Sequence, residues 1–343
     1  MTAMSNIDIS QKDTPSSLRI RIKHYQEVAK EVESYLIKNP SEWGRFQSRF
    51  NQEVNGVFRE IMNFEKENMA AGHEEKVFKL KKLFVNKLRP FFMKGEYVVW
   101  SLKKPYGYAG DFKIIDDIYI NNPQTTGFDR LYDNYFQMSA ISVAVRNRKE
   151  DFKRLISNYV TENHRADIKI VDLASGPCRD IRELICDNEG SLFSNSIFNC
   201  FDADQRSIDY AKKILNNSKQ VSFVQLNVLR LALKKDIEKE YPQKYDFIFS
   251  TGLFDYLDAR ISVKLIHNLK QLLKPNGILA ISDVRDKYSN PSIHFMEWVG
   301  EWSLIYRPDD EFRDLFIQAG FEKKDLSISY EQQGIMQYIV GRK

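Results

Sequence analysis

The chain has 343 residues, 43% hydrophobic and 29% charged, with a formal net charge of +4. That length suits two folded units, and the composition is that of a soluble globular protein. No run of about eighteen apolar residues is present, and MTAMSNIDISQKDTPSS at the start lacks the basic-then-apolar plan of a signal peptide. A cytoplasmic protein without a membrane span is therefore expected. Lysines and arginines alternate with acids along helix faces, so no nucleic-acid partner is expected. The three cysteines, Cys178, Cys186 and Cys200, lack paired-ligand spacing and are read as buried free thiols, with no metal site.

Residues 1–14 are expected to be disordered. A first helix runs from a cap at Ser16 or Ser17 through Leu18, Ile22, Tyr25, Val28, Val32 and Leu36 to Asn39-Pro40. A second starts near Ser41, carries Trp43, Phe46, Phe50, Val54, Val57, Phe58 and Ile61, and ends near Ala71-Gly72. A third, about 73–88, is closed by Pro90. These apolar stripes are packing faces and are assigned no chemistry.

KKPYGYAGDF (103–112) breaks the helical pattern. Its glycines and proline permit close backbone approach, and Tyr106 and Tyr108 flank it, so the segment reads either as a connector or as a lid. A short helix (112–119) and a polar break, NNPQTTG (121–127), lead to a long helix over 128–160. Arg148 falls within its apolar stripe, whereas Arg146 falls on the opposite face with Ser142, Lys149 and Lys153. A buried guanidinium needs an anion, either a neighbouring carboxylate or a carboxylate on a cofactor or substrate.

From Ile168 the pattern alternates strand and helix, predicting βαβ units and a parallel sheet. Strands are expected at 168–173, 196–201, 221–225, 245–250, 276–283, 324–330 and 334–341, the last two forming an antiparallel hairpin about EQQG. Helices are expected at 178–188, 205–216, 230–240, 258–273, near 292–303 and at 309–319. The first strand ends in Asp172 and the small-residue turn Ala174-Ser175-Gly176-Pro177. The second ends at Phe201-Asp202, which places a carboxylate where ribose hydroxyls would lie.

VDLASGP, Asp202, Asn227-Val228, YDFIFSTGLFDYLD (245–258) and LLKPNGILAISD (272–283) follow one another at a spacing that resembles the class I S-adenosylmethionine-dependent methyltransferases, over about residues 165–343. The resemblance implies a Rossmann-like seven-stranded methyltransferase sheet with a C-terminal antiparallel hairpin, here preceded by an all-α N-terminal cap domain. It also implies S-adenosyl-L-methionine as cofactor and S-adenosyl-L-homocysteine as product. Ala174 and Cys178 stand where the family's first motif usually has glycines, leaving Gly176 as the turn's glycine.

The expected division is 15–127 as a helical cap and substrate domain, 128–164 as a connecting helix and 165–343 as the cofactor-binding domain. Expected cofactor contacts are Arg148, Asp172, Ala174, Ser175, Gly176, Asp202, Ala203, Asn227, Val228 and Thr251. PYGYAGDF, AVRNR (144–148) and GLFDYL (252–257) further resemble a bacterial subfamily associated with making 3-hydroxy fatty acid methyl ester signals.

Methyl transfer requires collinear reactants in a dry pocket, and aromatic rings favour a cationic sulfur. Tyr106, Tyr108, Phe254 and Tyr256 are candidates for such a wall, and His294 is the candidate base, the first two tyrosines and His294 being the expected catalytic groups. A carboxylate acceptor needs no base, which suits the scarcity of histidines. Asp111, Asp255 and Glu297 would anchor an ammonium if the acceptor were an amino-acid-like metabolite, and Trp298 would line the substrate pocket. The expected function is O-methylation of a small-molecule carboxylate. N-methylation of a metabolite, methylation of RNA or protein, and a noncatalytic sensor are the alternatives, and a homodimer is left open.

Overall fold

In the computed structural model the described residues are 14–163, 167–186 and 191–343. The expected disorder of 1–14, the end of the connecting helix at residue 164 and the last residues of the 178–188 helix fall wholly or partly outside them. Helices in chain order are α1 (Ser16–Lys38), α2 (Gln47–Ala70), α3 (Glu74–Leu83), α4 (Arg89–Phe92), α5 (Glu96–Lys103), α6 (Phe112–Ile120), α7 (Gly127–Met138) and α8 (Ala140–Asn163). There follow α9 (Arg179–Cys186), α10 (Gln205–Ile214), α11 (Val228–Leu233), α12 (Ile237–Glu240), α13 (Ala259–Leu272), α14 (Pro291–Val299) and α15 (Asp309–Gln318). The strands are β1 (Ile168–Leu173), β2 (Ser196–Asp202), β3 (Val221–Gln225), β4 (Tyr245–Ser250), β5 (Leu273–Val284), β6 (Leu326–Tyr330) and β7 (Met336–Arg342). Among the described residues no helix is long and apolar enough to cross a membrane.

The chain divides into two compact units. One gathers the chain up to Ile114 with Ile120–Val143 and Lys287–Ser303; the other comprises Ile115–Tyr119, Ala144–Asp286 and Leu304–Lys343. In the helical unit, the apolar stripes of α1, α2 and α7 meet in an aromatic core. Phe50 packs edge-on against Tyr132 at 4.8 Å, and Phe58 against Phe92 at 5.1 Å. Edge-to-face pairs of this kind add about 0.5–1.5 kcal/mol each beyond the area they bury.

Segment 287–303 falls outside the sheet unit, contrary to the expected 165–343 block. Phe295 on α14 packs against Phe58 at 5.1 Å and Tyr135 at 4.9 Å, while Trp298 packs against Phe84 at 5.5 Å. Its large rings are therefore core residues of the helical unit.

The sheet unit has strand order β3-β2-β1-β4-β5-β7-β6. The first five strands are parallel, and β7 slots antiparallel between β5 and β6, with Ile281 opposite Ile339. One face packs Val171, Leu173, Ile248 and Leu279 against Leu265, Leu269, Phe312 and Phe316 from α13 and α15. Against the other face, Phe152 of α8 meets Phe249 and Tyr338, and Tyr159 meets Phe247. The seven strands and closing hairpin agree with the sequence expectation.

Several elements differ from it. Pro90 does not end α3; a π turn at Phe84–Leu88 precedes α4, and Pro90 sits in the first turn of α4, where a missing N–H costs no helical bond. Helix α5 was not foreseen. The expected helix at 128–160 is two, because Ser139 turns extended (ψ 144°) and its Oγ accepts from the Ser142 amide at 3.3 Å, starting α8 afresh. The 230–240 helix also splits: Asn268 Nδ2 donates to the Leu231 and Lys234 carbonyls at 2.8 and 3.1 Å, taking the acceptors that end α11.

Candidate functional site

Order reverses between β1 and β4, so their carboxyl ends border the crevice where open α/β sheets bind ligands. The turn after β1 places Ala174, Gly176 and Cys178 in the left-handed region at φ 58°, 54° and 51°. For the two non-glycines this costs about 1–2 kcal/mol each, so the turn must be held from outside. Gly176 N donates to Asp202 Oδ2 at 2.9 Å, Ser207 Oγ to the Gly176 carbonyl at 2.8 Å, and Ser175 N to the Phe201 carbonyl at 3.1 Å. The other Asp202 oxygen accepts from Asp204 N at 2.9 Å. Burial raises the Asp202 pKa, and the two amides oppose that rise.

Two observations fit this turn to a ligand. A Cβ at Gly176 would meet nothing within 4 Å, and the buried Ser175 hydroxyl has no hydrogen-bond partner among the described residues. An orphaned buried hydroxyl beside open backbone is the donor set a polar cofactor would satisfy. Ser175 Oγ and the open backbone face of Gly176, beside Asp202, could hold such a group.

Behind the turn, Asp172 and the thiols of Cys178 and Cys200 lie within 4.8 Å of one another, all buried. The sequence spacing gave no hint of this group. Burial, with Asp180 and Cys178 alongside, drives Asp172 well above the usual carboxylate range, and burial likewise raises Cys200. Both favour their proton-bearing forms. Asp180 is pushed up to about 6, again chiefly by burial.

A second constellation surrounds the end of β4. Ser250 Oγ donates to the Leu173 carbonyl at 2.8 Å, and Gly252, at φ 93°, leaves room for the Arg148 guanidinium. Arg148 is 4% exposed; its NH1 lies 3.9 Å from Asp255 Oδ2, and it donates to the Tyr119 hydroxyl. Burial acts to lower the Arg148 pKa, but Tyr119 and Asp255 outweigh it and hold it above the ordinary value. Its Nε has no partner among the described residues. Asp255 Oδ1 accepts from Val284 N at 3.0 Å, and Arg307 pairs with Asp283 at 2.9 Å. Burial and the adjacent Asp255 raise Asp283 well above the carboxylate range despite Arg307.

The structure thus brings Asp172, Ala174, Ser175, Gly176 and Asp202 to one turn, and gathers Arg148 and Asp255 beside the β4 exit. Phe254 is wholly buried, Thr251 is half-buried and Tyr256 is 41% exposed. Ala203 and Asn227 are exposed and Val228 is half-buried, with Asn227 Oδ1 capping α11 through Leu229 N at 2.9 Å.

The remaining expected residues belong to the helical unit. Asp111 is buried and committed: it accepts from Trp100 Nε1 at 2.9 Å and from the Lys113 and Ile114 amides, making it the start of α6. Tyr106 packs at a tilt against Phe112, with ring centroids 4.5 Å apart, and Tyr108 is 38% exposed. His294, the candidate base, is completely buried on α14, with Nε2 at 3.5 Å from Glu65. Glu297 pairs with Lys287 at 2.7 Å, and Trp298 Nε1 donates to Glu65 at 3.1 Å.

Sequence reasoning missed Asp116, Tyr119, Arg179, Ser207 and Tyr210. Asp116 and Tyr119 did carry a signal, because they share the face of α6 that Phe112 occupies at i, i+4 and i+7.

Residues 164–325 match the model of a methyltransferase domain. No curated protein matches the sequence. A crystal structure from Bordetella parapertussis, described as a possible exported protein, is 14% identical with a TM-score of 0.55, covering 96% of this chain and 99% of its own. A putative O-methyltransferase from Nostoc punctiforme is 14% identical, TM-score 0.43, covering 62% of this chain and 61% of its own. The N-methyltransferase NodS from Bradyrhizobium japonicum, solved with S-adenosyl-L-homocysteine, is 13% identical, TM-score 0.40, covering 68% and 97%.

Proposed function

We propose, on the match of residues 164–325 to a methyltransferase domain, that the chain is an S-adenosylmethionine-dependent enzyme that methylates a carboxylate oxygen of a small-molecule acid. When bound, the cofactor supplies a methyl carbon on a positively charged sulfur. In this reading the 174–178 turn and Asp202 hold its ribose side, Asn227, Val228 and Ala203 its adenine side, and Arg148 a carboxylate. Thr251 and Asp172 complete the cofactor contacts, and the helical unit selects the acceptor.

The observation that carries the cofactor reading is the orphaned Ser175 hydroxyl beside the open face of Gly176. The acceptor reading follows from the histidines. His267 Nδ1 is within 3.2 Å of the Ala319 carbonyl, and His294 is wholly buried beside Glu65, so neither presents an imidazole to an acceptor. A carboxylate is already ionised at neutral pH and attacks without a base, leaving orientation as the main task, worth up to about 7–11 kcal/mol. Within this class a 3-hydroxy fatty acid is the first acceptor to try, on the strength of PYGYAGDF, AVRNR and GLFDYL.

The test is calorimetry with S-adenosylhomocysteine, followed by an acceptor panel of hydroxy acids, amino acids and polyanions read by homocysteine-nucleoside release. Asp202→Ala should weaken cofactor binding by about 30-fold or more, the cost of losing hydrogen bonds to a charged group. Turnover with acids alone supports the proposal. Turnover with amines or RNA replaces its acceptor, and binding without turnover on any acceptor makes the chain a sensor.

A further inference from the structure

Segment 115–119 lies outside the matched domain at 164–325 yet belongs to the sheet unit. Its Asp116 is completely buried, and its carboxylate is shared by groups from two other helices. Arg179 engages it in a two-point pair, Nε to Oδ1 and NH2 to Oδ2 at 2.8 Å, and the Tyr210 hydroxyl donates to Oδ2. Arg179 is the first residue of α9, directly after the left-handed Cys178. Tyr210 lies on α10, whose cap, Asp204, follows the Asp202 turn.

We propose that Asp116 is a positioning residue for cofactor binding, tying the exits of the β1 and β2 turns together through Arg179 and Tyr210. This rests on the cofactor reading above and adds a residue that lies outside the matched domain. The entry of the 174–178 turn is held by the Ser175 amide on the Phe201 carbonyl and its middle, Gly176, by Asp202 and Ser207. At the exit, Arg179 is the adjoining anchor. A strained turn keeps its geometry only while its surroundings over-determine it. Without Asp116, the guanidinium, whose side chain is 16% exposed, would turn toward water and release the first turn of α9. Among the described residues Asp116 bonds to Arg179 and Tyr210 and to neither the Ser175 hydroxyl nor Arg148, so it acts through the turn.

The test uses the full chain with Asp116→Asn and the charge-free pair Asp116→Leu with Arg179→Met. Affinity for S-adenosylhomocysteine is measured by calorimetry, amide exchange over 175–182 without ligand, and thermal unfolding in parallel. The expected result for Asp116→Asn is about tenfold weaker binding and at least tenfold faster exchange in that window, with kcat at saturating cofactor within twofold of wild type. The charge-free pair should regain thermal stability while binding stays weak. Wild-type binding and exchange in Asp116→Asn would overturn the proposal, as would recovery of both binding and exchange in the pair, which marks a purely structural ion pair. If wild type itself fails to bind, the cofactor reading falls, while the exchange comparison still decides whether Asp116 sets the turn.

Discussion

Each unit buries a cluster of charge, and the two are built differently. In the helical unit, Lys287 Nζ sits 2.5 Å from Glu65 and 2.7 Å from Glu297, with Trp298 and His294 facing Glu65. Burial works against the Lys287 charge, and the two glutamates outweigh it, holding its pKa above the ordinary range. In the sheet unit, among the described residues, Arg148 has one carboxylate at the long distance of 3.9 Å and an unmatched Nε, and the acids Asp172, Asp180 and Asp283 are all driven upward by burial. A cluster in which cation and anions match at close range is a structural joint. One that leaves polar atoms unmatched at the carboxyl ends of parallel strands is where the proposed function puts the cofactor.

The largest effect that would test this contrast is on the joint. Lys287→Met leaves two buried carboxylates facing one another, which should cost about 3–5 kcal/mol of stability. Denaturant unfolding should show that loss, and calorimetry with S-adenosylhomocysteine should show affinity within twofold of wild type. A large loss of cofactor affinity in a still-folded variant would erase the distinction between the two clusters.

Next in size is a pH effect confined to the sheet unit. Asp180 titrates near 6 in the folded protein, against about 3.9 in an unfolded chain. A carboxyl raised on folding stabilises the native state below its unfolded value, and that contribution is lost as pH rises through its folded value. Stability should therefore fall by up to about 3 kcal/mol between about pH 4 and pH 6 on account of this group. Asp180→Asn keeps an acceptor for the Ile181 amide, which Asp180 Oδ1 receives at 2.9 Å, and should flatten that part of the profile. A variant whose unfolding midpoint tracks wild type across this range would show that Asp180 is not the group under strain.

The same contrast explains what was legible in the sequence. Strands β1, β2 and β4 were readable because β-branched and aromatic runs of six or seven residues, bounded by turns, have few other solutions. The Asp172-to-Asp202 motif was readable because its chemistry is local to two strand ends. Arg148 was readable as buried because it breaks an apolar stripe. Its pairing with Asp255, more than a hundred residues away, was not, since register between distant elements leaves no local mark.

Asp116 has the same kind of signal as Arg148, an ionic residue at an apolar phase of α6, but a nine-residue helix repeats that phase too few times to single it out. The α14 segment was open in the sequence between a pocket wall and packing against the N-terminal helices. Large apolar rings look alike whether they line a pocket or fill a core, and Phe58, Phe84 and Tyr135 decide between the two here. Pro90 and Ser139 misled because tertiary packing and a serine cap set the helix ends there, and both act outside the apolar period.

The smallest expected effect isolates the Arg148 cluster from its own stability. Gly252 sits at φ 93°, where an L side chain is strained by about 1–3 kcal/mol, and a Cβ there would lie 3.1 Å from both terminal guanidinium nitrogens of Arg148. The guanidinium is the far end of a flexible side chain, so it can yield by a few tenths of an ångström. Gly252→Ala should therefore cost about 1–2 kcal/mol of stability from the backbone and weaken S-adenosylhomocysteine a few-fold from the displaced cation. The two losses separate in a double-mutant cycle. In an Arg148→Met background the stability loss should persist, because the φ strain is unchanged, while the affinity loss should vanish, because the group it displaced is gone. An affinity loss that survives in that background would place the function of Gly252 in the β4 turn itself and leave Arg148 as one more structural ion.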